Sequence, residues 1–328
     1  MLGRTRRAVR ERGAATVDGL PLDQVRTLLA AVDEGTFEAA AEALHVTPSA
    51  VSQRVKALEQ RTGRVLLLRT KPVRPTASGE VLIRYGRQLA RLEQDAGAEL
   101  GLDDALGPAT LPIAVNADSL ATWFLPALVD AAADRGILFD LHRDDEDHTA
   151  ALLRQGRVMA AVTSSPLAVQ GCSVRALGRM RYRAMAAPRF VARRLAGRPL
   201  REALPAAPAI VFDRKDELQD RFLDLLAPRR AAGSARLTAA TRARHCMPSS
   251  EAFLAAVAAG LGWGMIPEAQ AGPHLAAGTL VELAARRPVD VPLYWQQWKL
   301  DSPDLAAVAD AVHRTAARTL SPPAPAPG

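Results

Sequence analysis

Three short helical patterns follow one another within residues 22–63. The first places apolar residues at helical spacing over 22–34. The second begins after Thr36, and the third after Thr47, because both are residues that cap helix N-termini. Pro48 then occupies the first position of the third helix, where a missing N–H costs no hydrogen bond. The segment is therefore predicted to fold into a compact unit of three helices.

The third helix has an apolar face and a polar face. Two short helices joined by a tight turn, with polar residues on the second, form the helix-turn-helix that enters a DNA major groove. Gln53 and Arg54 are the candidates for reading base edges, since amide and guanidinium groups make bidentate hydrogen bonds to bases. The other candidate DNA-contacting residues lie on the helices and on a short hairpin wing, and they are Thr36, Thr47, Ser49, Ser52, Lys56, Arg69, Lys71 and Arg74.

Positive charge is concentrated in the same part of the chain. Residues 45–91 contain ten Lys and Arg residues and two Glu residues, a net charge of +8, whereas the whole chain carries +7. The remainder of the chain is thus slightly acidic. A basic segment of this kind suits phosphate binding, because each cation that neutralises a phosphate releases a counterion. If the positive charge is considered alone, a solvated helix face is the alternative explanation.

A longer helix is predicted from about Thr76 to Leu100. Four of its apolar residues follow alternating steps of three and four, the seam of a two-helix coiled coil, and they are Leu82, Tyr85, Leu89 and Leu92. We expect this helix to dimerise, since DNA readers of this type bind paired half-sites. Packing of the same residues against their own domain is the alternative.

Beyond residue 108, short apolar runs alternate with helical stretches. This alternation indicates an α/β fold with parallel strands and crossover helices. Ligands of such sheets bind beyond the carboxyl ends of the strands. The longest uncharged stretch, residues 252–267, is shorter than the roughly 20 residues that span a bilayer.

Several classes of protein are disfavoured by the sequence. Two cysteines cannot form a disulfide scaffold or a four-cysteine zinc site, and they favour a reducing compartment. The histidines lack metal-ligand spacing, and neither a phosphate-binding glycine motif nor a nucleophile motif is present. The basic start lacks the apolar region of an export signal. We therefore expect a cytoplasmic protein that is not an enzyme and holds no cofactor or metal.

Residues 22–79 closely resemble the winged helix-turn-helix of LysR-type transcriptional regulators. The motifs that carry the resemblance are "AAAEALHVTPSAVSQRVKALE", "LLLRT" and "PTASG", in this order. The resemblance implies a winged helix-turn-helix, a dimerising linker helix, and an α/β effector domain similar to a periplasmic solute-binding protein, with two lobes around a cleft. It also implies a homodimer or homotetramer, a double-stranded DNA operator, and RNA polymerase as a further partner.

The domain boundaries follow from these segments. The expected parts are a disordered basic extension at 1–20, the DNA-binding domain at 21–79, the linker helix and hinge at 80–108, the effector domain at 109–320 and a disordered tail at 321–328. Within the effector domain, we expect lobe one at 109–164 and 267–320, and lobe two at 165–266.

Five further stretches resemble the LysG/ArgP-like branch of this family, which responds to basic amino acids. They are "NADSLATWFLPAL" at 116–128, "SSEAF" at 249–253, "GWGMIP" at 262–267, "DED" at 145–147 and "LYW" at 293–295. The similarity implies lysine or arginine as the effector and an amino-acid exporter gene as the target.

A basic amino acid needs hydrogen-bond donors for its α-carboxylate and carboxylates for its cationic groups. Ser119 and Thr122 are the candidate donors, and Trp123 is a candidate apolar or cation-π wall. The candidate carboxylates fall near predicted strand ends or helix starts, and they are Asp118, Asp145, Glu146, Asp213 and Glu251.

Each of these candidates has a structural alternative. Asp118 is also a candidate N-cap, Trp123 a core residue, Glu251 a helix-start acid and 144–147 a solvated loop. Two other functions stay open as well. One is a regulator with an aromatic or anionic effector, and the other is a cytoplasmic solute-binding or enzyme module whose basic segment serves self-association.

Overall fold

The computed structural model describes residues 19–101, 110–133, 135–143, 146–226 and 243–323. The predicted extension before residue 19 and the end of the tail after residue 323 lie outside these ranges. The chain divides near residue 102 into an N-terminal and a C-terminal compact unit. Each unit has its own apolar core.

The N-terminal unit follows the predicted order of helices and wing. Its elements are α1 (Leu22–Asp33), α2 (Phe37–Ala43), α3 (Pro48–Thr62), β1 (Leu67–Leu68), β2 (Arg74–Pro75) and α4 (Ala77–Glu99). Thr36 and Thr47 cap α2 and α3 as predicted, because their hydroxyl oxygens accept the backbone N–H groups of Ala39 and Ala50 at 3.1 and 3.2 Å. Gly63 ends α3 in the left-handed conformation.

The core of this unit holds α3 against α1. Val51, Val55 and Leu58 of α3 are buried, together with Leu28 of α1. The long helix α4 approaches α1 closely at Gly86, where an added Cβ would lie 2.7 Å from Val25 Cγ1. The bare backbone of this glycine therefore sets the distance between the two helices.

The C-terminal unit is α/β, and its described elements begin after residue 109. Its first half contains β3 (Thr110–Val115), α5 (Ala117–Ser119), α6 (Leu125–Ala132), β4 (Leu138–Arg143), α7 (Glu146–Arg154), β5 (Ala160–Thr163), β6 (Cys172–Ala186), α8 (Pro188–Phe190) and α9 (Leu200–Ala203). Its second half contains β7 (Ala209–Val211), α10 (Leu218–Leu226), β8 (Arg244–Cys246), α11 (Ser250–Ala258), β9 (Gly264–Pro267), α12 (Glu268–Ala276), β10 (Val281–Glu282), β11 (Val289–Trp298) and α13 (Pro303–Thr319). A π-helical turn, Leu120–Phe124, joins α5 to α6.

The main sheet is mixed, which corrects the expectation of parallel strands. Its strand order is β10-β6-β11-β5-β3-β4, and β9 also pairs with β6. Strands β3, β4 and β5 are parallel, but β6 pairs antiparallel with β9, β10 and β11. Of β6, only 182–186 has the apolar run that predicts a strand, since the first part of β6 alternates arginines with apolar residues.

Three boundaries differ from the predicted ones. Ala271 of α12 and Leu280 pack in one core with Ile210 and Phe253, so the segment 268–282, expected in lobe one, belongs to lobe two. The tail starts later than residue 321, because the backbones of Ser321 and Arg179 exchange hydrogen bonds of 3.0 and 2.8 Å. Residues 19–20, expected in the basic extension, lead directly into α1.

Candidate functional site

One face of α3 is exposed and polar. Ser49, Gln53 and Lys56 are exposed at helical spacing, while the opposite residues are buried. Ser52 is half-buried beside them. This surface presents hydroxyl, amide and ammonium groups, which are the groups that contact DNA bases and phosphates.

Arg54 has a different environment from the one expected of a base reader. It is half-buried, its Nη1 lies 3.5 Å from Thr27 Oγ1, and its Nε lies 3.7 Å from Asp23 Oδ2. Both partners belong to α1. The guanidinium therefore contacts α1 within the unit, and its assignment to base readout stays a prediction.

The wing presents cations at its turn. Arg69, Lys71 and Arg74 are exposed. The start of the hairpin is fixed to α3, because a carboxylate oxygen of Glu59 accepts the backbone N–H of Leu66 at 2.8 Å. Glu59, an acid within the basic segment, thus has a structural role. The wing cations are exposed at the surface.

Helix α4 carries an apolar stripe at the surface of the unit. Val81, Tyr85 and Leu92 are 52%, 37% and 43% exposed, and they recur at helical spacing. Leu89 is half-buried, and Leu82 packs partly against the core of its own unit. The residues of the predicted coiled-coil seam therefore have different environments. Leu82 packs within its own unit, whereas Tyr85 and Leu92 are available to a partner.

A cavity of about 490 Å³ opens in the C-terminal unit where strands meet helix starts. Its lining includes three carboxylates, Asp118, Asp213 and Asp216, and two cations, Arg143 and Lys215. The volume lies within the range of small-molecule sites. The cavity can thus receive a ligand that carries charges of both signs.

Asp118 joins three elements of this cavity. Its Oδ2 accepts a hydrogen bond from Tyr182 Oη at 2.8 Å, and its Oδ1 accepts one from Ser250 Oγ at 2.6 Å. Ser250 Oγ also lies 3.2 Å from Gln270 Nε2. The cap of α5 is Asn116, whose side chain accepts the N–H of Ser119, so Asp118 is not the N-cap and its carboxylate faces the cavity.

Asp213 and Asp216 stabilise the loop after β7. Asp213 Oδ1 accepts the N–H groups of Lys215 and Asp216 at 2.7 and 3.0 Å. The Asp216 carboxylate accepts those of Phe212 and Leu218 at 2.8 and 3.0 Å. Burial raises the pKa of Asp216, the negative charge of Asp118 raises it further, and these backbone bonds oppose the shift.

Four predicted effector residues lie elsewhere than expected. Ser119 is fully buried, and Glu251 is exposed outside the cavity lining. Trp123 is a core residue, and together with Thr122 it lines a different, smaller cavity. Glu251 has the environment of an acid at a helix start, which was its structural alternative. Its own backbone N–H and the Ser249 hydroxyl donate hydrogen bonds that lower its pKa.

The side chains of the remaining two predicted acids fall outside what the structure describes. Asp145 lies outside the described residues, and so does the side chain of Glu146. Of the eight effector candidates, the structure brings Asp118 and Asp213 to the cavity.

Several cavity residues were not anticipated. Arg143 ends β4, a strand-end position that the general rule for α/β sheets would have selected. Lys215 and Asp216 follow Asp213 in the same loop, and Ser250 precedes the chosen Glu251 by one residue. Tyr182 lies inside β6, where the sequence offers no signal that separates a site residue from a core residue.

The described residues lack two further kinds of feature, a membrane-spanning helix and a metal site. None of the helices there has the length and apolar character needed to cross a bilayer. The same residues contain no group of three or more His, Cys, Asp and Glu side chains arranged to hold a metal ion.

Comparison with known families gives two matches that together span most of the chain. Residues 22–80 match the model of the bacterial regulatory helix-turn-helix protein, lysR family. Residues 108–317 match the model of the LysR substrate binding domain. These ranges correspond to the two compact units.

Individual relatives agree with the family matches. The chain is 47% identical over 293 residues to the HTH-type transcriptional regulator LysG of Mycobacterium tuberculosis, covering 89% of this chain and 92% of the relative. It is 44% identical over 299 residues to the lysine export transcriptional regulatory protein LysG of Corynebacterium glutamicum, covering 91% and 99%.

Solved structures show the same relationship. The crystal structure of ArgP from Mycobacterium tuberculosis superposes with a TM-score of 0.83 at 45% identity, covering 94% of this chain and all of that one. Full-length LysG from Corynebacterium glutamicum with bound effector Arg gives 0.77 at 41%, covering 92% of this chain and all of that one. The chain therefore belongs to the LysR family of bacterial transcriptional regulators.

Proposed function

We propose that this chain is a DNA-binding transcriptional regulator, not an enzyme, and that lysine or arginine bound in the large cavity of the C-terminal unit controls it. The single observation that carries the effector assignment is the set of charges around that cavity. Three carboxylates and two cations line it. A basic amino acid has two cationic groups and one carboxylate, so its charges complement this excess of acid.

Each group of the ligand has a candidate partner. Asp118 and Asp213 are placed to receive the ammonium or guanidinium groups, while Arg143 or Lys215 receives the α-carboxylate. The apolar side chain of Phe253 also lines the cavity and suits the aliphatic stem. The Corynebacterium LysG structure contains bound effector Arg, which supports the same ligand class.

The relatives also support the regulated process. The Corynebacterium relative is a lysine export transcriptional regulatory protein, and we propose an amino-acid exporter gene as the target here. On DNA, α3 would enter the major groove through Ser49, Gln53 and Lys56, with Arg69, Lys71 and Arg74 on the neighbouring backbone. Thr36 and Thr47 stand at helix starts, where their hydroxyls and nearby N–H groups suit phosphates.

The working form is proposed to be a homodimer, or a tetramer built from dimers, that contacts RNA polymerase at the promoter. Pairing through Tyr85 and Leu92 of α4 would cover the apolar stripe and set two recognition helices at the spacing of paired half-sites. Because it acts on chromosomal DNA, the site of action is the cytoplasm.

The effector is tested by titration calorimetry of the full chain with L-arginine, L-lysine and L-histidine. L-citrulline serves as the neutral analogue of arginine, since it keeps the shape and lacks the charge. Arginine or lysine should bind at least about tenfold more tightly than the neutral analogue, the effect of one charge-assisted hydrogen bond. Absence of binding by all three basic amino acids would overturn the effector assignment and leave DNA binding untouched.

A pair of variants locates the ligand. Asp118→Asn removes a carboxylate that lines the cavity and should weaken binding of arginine or lysine at least tenfold, by roughly the energy of one charged hydrogen bond. Asp224→Asn makes the same change of acid to amide at an exposed position of α10 outside the lining, and it should leave the affinity unchanged. Equal losses in both variants would contradict the assignment of the cavity.

The second candidate is a regulator with an anionic effector, which Arg143 and Lys215 favour. Binding of a dicarboxylate that Arg143→Gln abolishes, without any binding of arginine, would select it. A further candidate is a solute-binding module without DNA function. It is excluded if the chain binds the region upstream of its gene more tightly than scrambled DNA, with an affinity that depends on salt.

A further inference from the structure

The chain has a second basic region besides residues 45–91. Residues 92–164 contain 4 Lys and Arg residues and 13 Asp and Glu residues, a net charge of −9. Residues 165–266 contain 17 Lys and Arg residues and 7 Asp and Glu residues, a net charge of +10. The slight acidity of the chain outside 45–91 is therefore an average of two opposite charges. The second basic region belongs to the C-terminal unit.

One helical segment of this region, residues 188–203, presents cations at the surface. It runs from α8 through a π-helical turn, Val191–Leu195, to α9. Phe190 and Leu195 are buried and anchor the segment in the core of the unit. The segment contains a single acid, Glu202, and its five arginines are all exposed, and they are Arg189, Arg193, Arg194, Arg198 and Arg201.

Two of these arginines have partners within the unit. Arg189 donates to the backbone oxygen of Ala259 at the end of α11, and Arg201 lies 3.3 Å from its neighbour Glu202. The other three form no ion pair and no side-chain hydrogen bond with any described residue, and they are Arg193, Arg194 and Arg198. Three guanidinium groups within six positions therefore keep their charge and their donors for an external anion.

The arginines of β6 lie in the same basic region and differ in this respect. Arg181 Nε lies 2.9 Å from Asp290 Oδ1. Arg183 forms ion pairs with Glu268 and Glu282 at 2.7 and 2.8 Å. Their charge is balanced by acids of the unit itself, so these arginines are not candidates for binding an external anion.

The side chains between the three unpaired arginines indicate the kind of partner. Ala192, Ala196, Gly197 and Pro199 are exposed, whereas no large apolar side chain of 188–203, all of which the structure describes, is exposed. The cores of protein–protein interfaces are enriched in aromatic residues and depleted in charged ones. The segment lacks such an apolar centre, and its small side chains let a charged backbone approach the guanidinium groups.

A nucleic-acid backbone has the matching chemistry. A guanidinium group binds two phosphate oxygens at once. Double-stranded DNA carries one negative charge per about 1.7 Å of its axis, so even a short surface segment meets several phosphates. The partner that suits three neighbouring arginines without an apolar centre is thus the phosphate backbone of a duplex.

We propose that residues 193–198 bind the phosphate backbone of the DNA that flanks the operator, so that the C-terminal unit adds its own contact to that of the helix-turn-helix. The inference rests on the proposed function as a DNA-binding regulator. Phosphate contacts carry no sequence information. The segment therefore strengthens binding without changing which operator sequence is preferred.

The test compares two duplexes that differ in length. The short one is trimmed to the paired half-sites, and the long one has roughly 30 base pairs of natural sequence added on each side. The variant is the full chain with Arg193→Gln and Arg194→Gln. Fluorescence anisotropy at several salt concentrations gives the affinity and its salt slope for each duplex.

On the long duplex, the double variant should bind about tenfold more weakly than the wild-type chain. Its salt slope should be smaller by about two, one for each lost phosphate contact. On the short duplex, variant and wild type should bind alike, since the helix-turn-helix is unchanged. Wild-type affinity and slope on the long duplex, or an equal loss on both duplexes, would overturn the proposal.

Two control variants separate a local contact from net charge. Arg286→Gln with Arg314→Gln removes the same charge from exposed positions of the C-terminal unit outside the segment, and the affinity for the long duplex should stay within about twofold of wild type because distant charges are screened. Arg193→Lys with Arg194→Lys keeps the charge and should keep most of the salt slope. A tenfold loss in either control would count against the proposal.

A single change, Arg198→Gln, gives an independent measurement at the same segment. It should lower the salt slope on the long duplex by about one, and an unchanged slope would count against a contact at this residue. Failure of the inference is distinguishable from failure of the proposed function. A wild-type chain that does not prefer the short operator over scrambled DNA overturns both, whereas operator binding with equal slopes in wild type and the double variant overturns the flanking contact alone.

Discussion

Tyr182 donates its phenolic hydroxyl to Asp118 Oδ2 at 2.8 Å, although the two residues are 64 positions apart in the sequence. Ser250 holds the other oxygen of the same carboxylate at 2.6 Å. The carboxylate thus binds β6 and the start of α11 at once. A cationic ligand that binds Asp118 competes with, or adds to, these two hydroxyl donors.

Tyr182→Phe should therefore destabilise the ligand-free chain by about 1.5–3 kcal/mol, the value of one hydrogen bond to a charged group. Saturating arginine should reduce this difference, because its cation replaces the lost donor beside Asp118. Thermal unfolding of the variant and the wild-type chain, each with and without arginine, measures both effects. A stability difference that arginine leaves unchanged would contradict the placement of its cation.

Asp216→Asn tests the effect of pH. The pKa of Asp216 is raised in the folded chain, so the native state binds this proton at a higher pH than the unfolded state, whose Asp has a pKa of about 3.9. The carboxyl group therefore adds stability as pH falls through its raised pKa.

The affinity for arginine should fall as pH falls, opposite to the stability, because a protonated Asp216 no longer attracts a cation. As pH falls through the raised pKa of Asp216, the wild-type chain should lose affinity for arginine more steeply than Asp216→Asn. Calorimetry at several pH values measures this difference, and parallel pH profiles would show that Asp216 does not act on the ligand.

Gln53→Ala should reduce discrimination between the operator and scrambled DNA by about 1–3 kcal/mol, the value of a bidentate base contact. Lys56→Ala, a change at an exposed cation of the same helix, should instead weaken both DNAs alike and lower the salt slope by about one. Arg54→Ala should keep the discrimination, since its guanidinium contacts α1. Fluorescence anisotropy at several salt concentrations separates these outcomes.

Leu92→Glu should convert the oligomer to monomers, because it places a charge in the apolar stripe of α4, where Leu92 is 43% exposed. Ala90→Glu adds the same charge at an exposed position off the stripe and serves as the control. Sedimentation velocity reports the mass of each variant. If both variants keep the mass of the wild-type oligomer, this stripe is not the interface.

Gly86→Ala should destabilise the N-terminal unit by about 1–3 kcal/mol, the usual cost of overpacking. Alanine in an open helix position stabilises instead, by roughly 0.5–1 kcal/mol. The sign reverses here because the new Cβ would lie 2.7 Å from Val25 and 2.9 Å from Leu29. Gly272→Ala in α12, where nothing lies within 4 Å, is the matched control, and chemical denaturation measures both.

The helices of the N-terminal unit could be predicted because their signals are local. Thr36, Thr47 and Pro48 act on N–H groups within three or four residues, so the sequence alone determines where α2 and α3 begin. The strands β7 and β9 also coincide with short apolar runs of the sequence. Helix α4 was placed within one residue at each end.

The effector candidates show the limit of the same reasoning. Asp118 and Asp213 were found because residues after strand ends of an α/β sheet face ligands. Trp123 and Glu251 followed the same rule and lie elsewhere, since the rule fixes the end of the strand and leaves the direction of each side chain open. The contact of Arg54 with Asp23 could not be predicted either, because Asp23 lies on another helix.

The sequence by itself therefore determined the family, the helix-turn-helix and the acidic residues near the cavity, all of which depend on contacts within a few positions or on local motifs. The tertiary structure alone decided that Tyr182 and Ser250 hold Asp118, that β6 pairs antiparallel with β11, and that Trp123 lines a separate cavity. These relationships join residues far apart in the chain. Only packing, which fixes the approach and direction of distant side chains, specifies them.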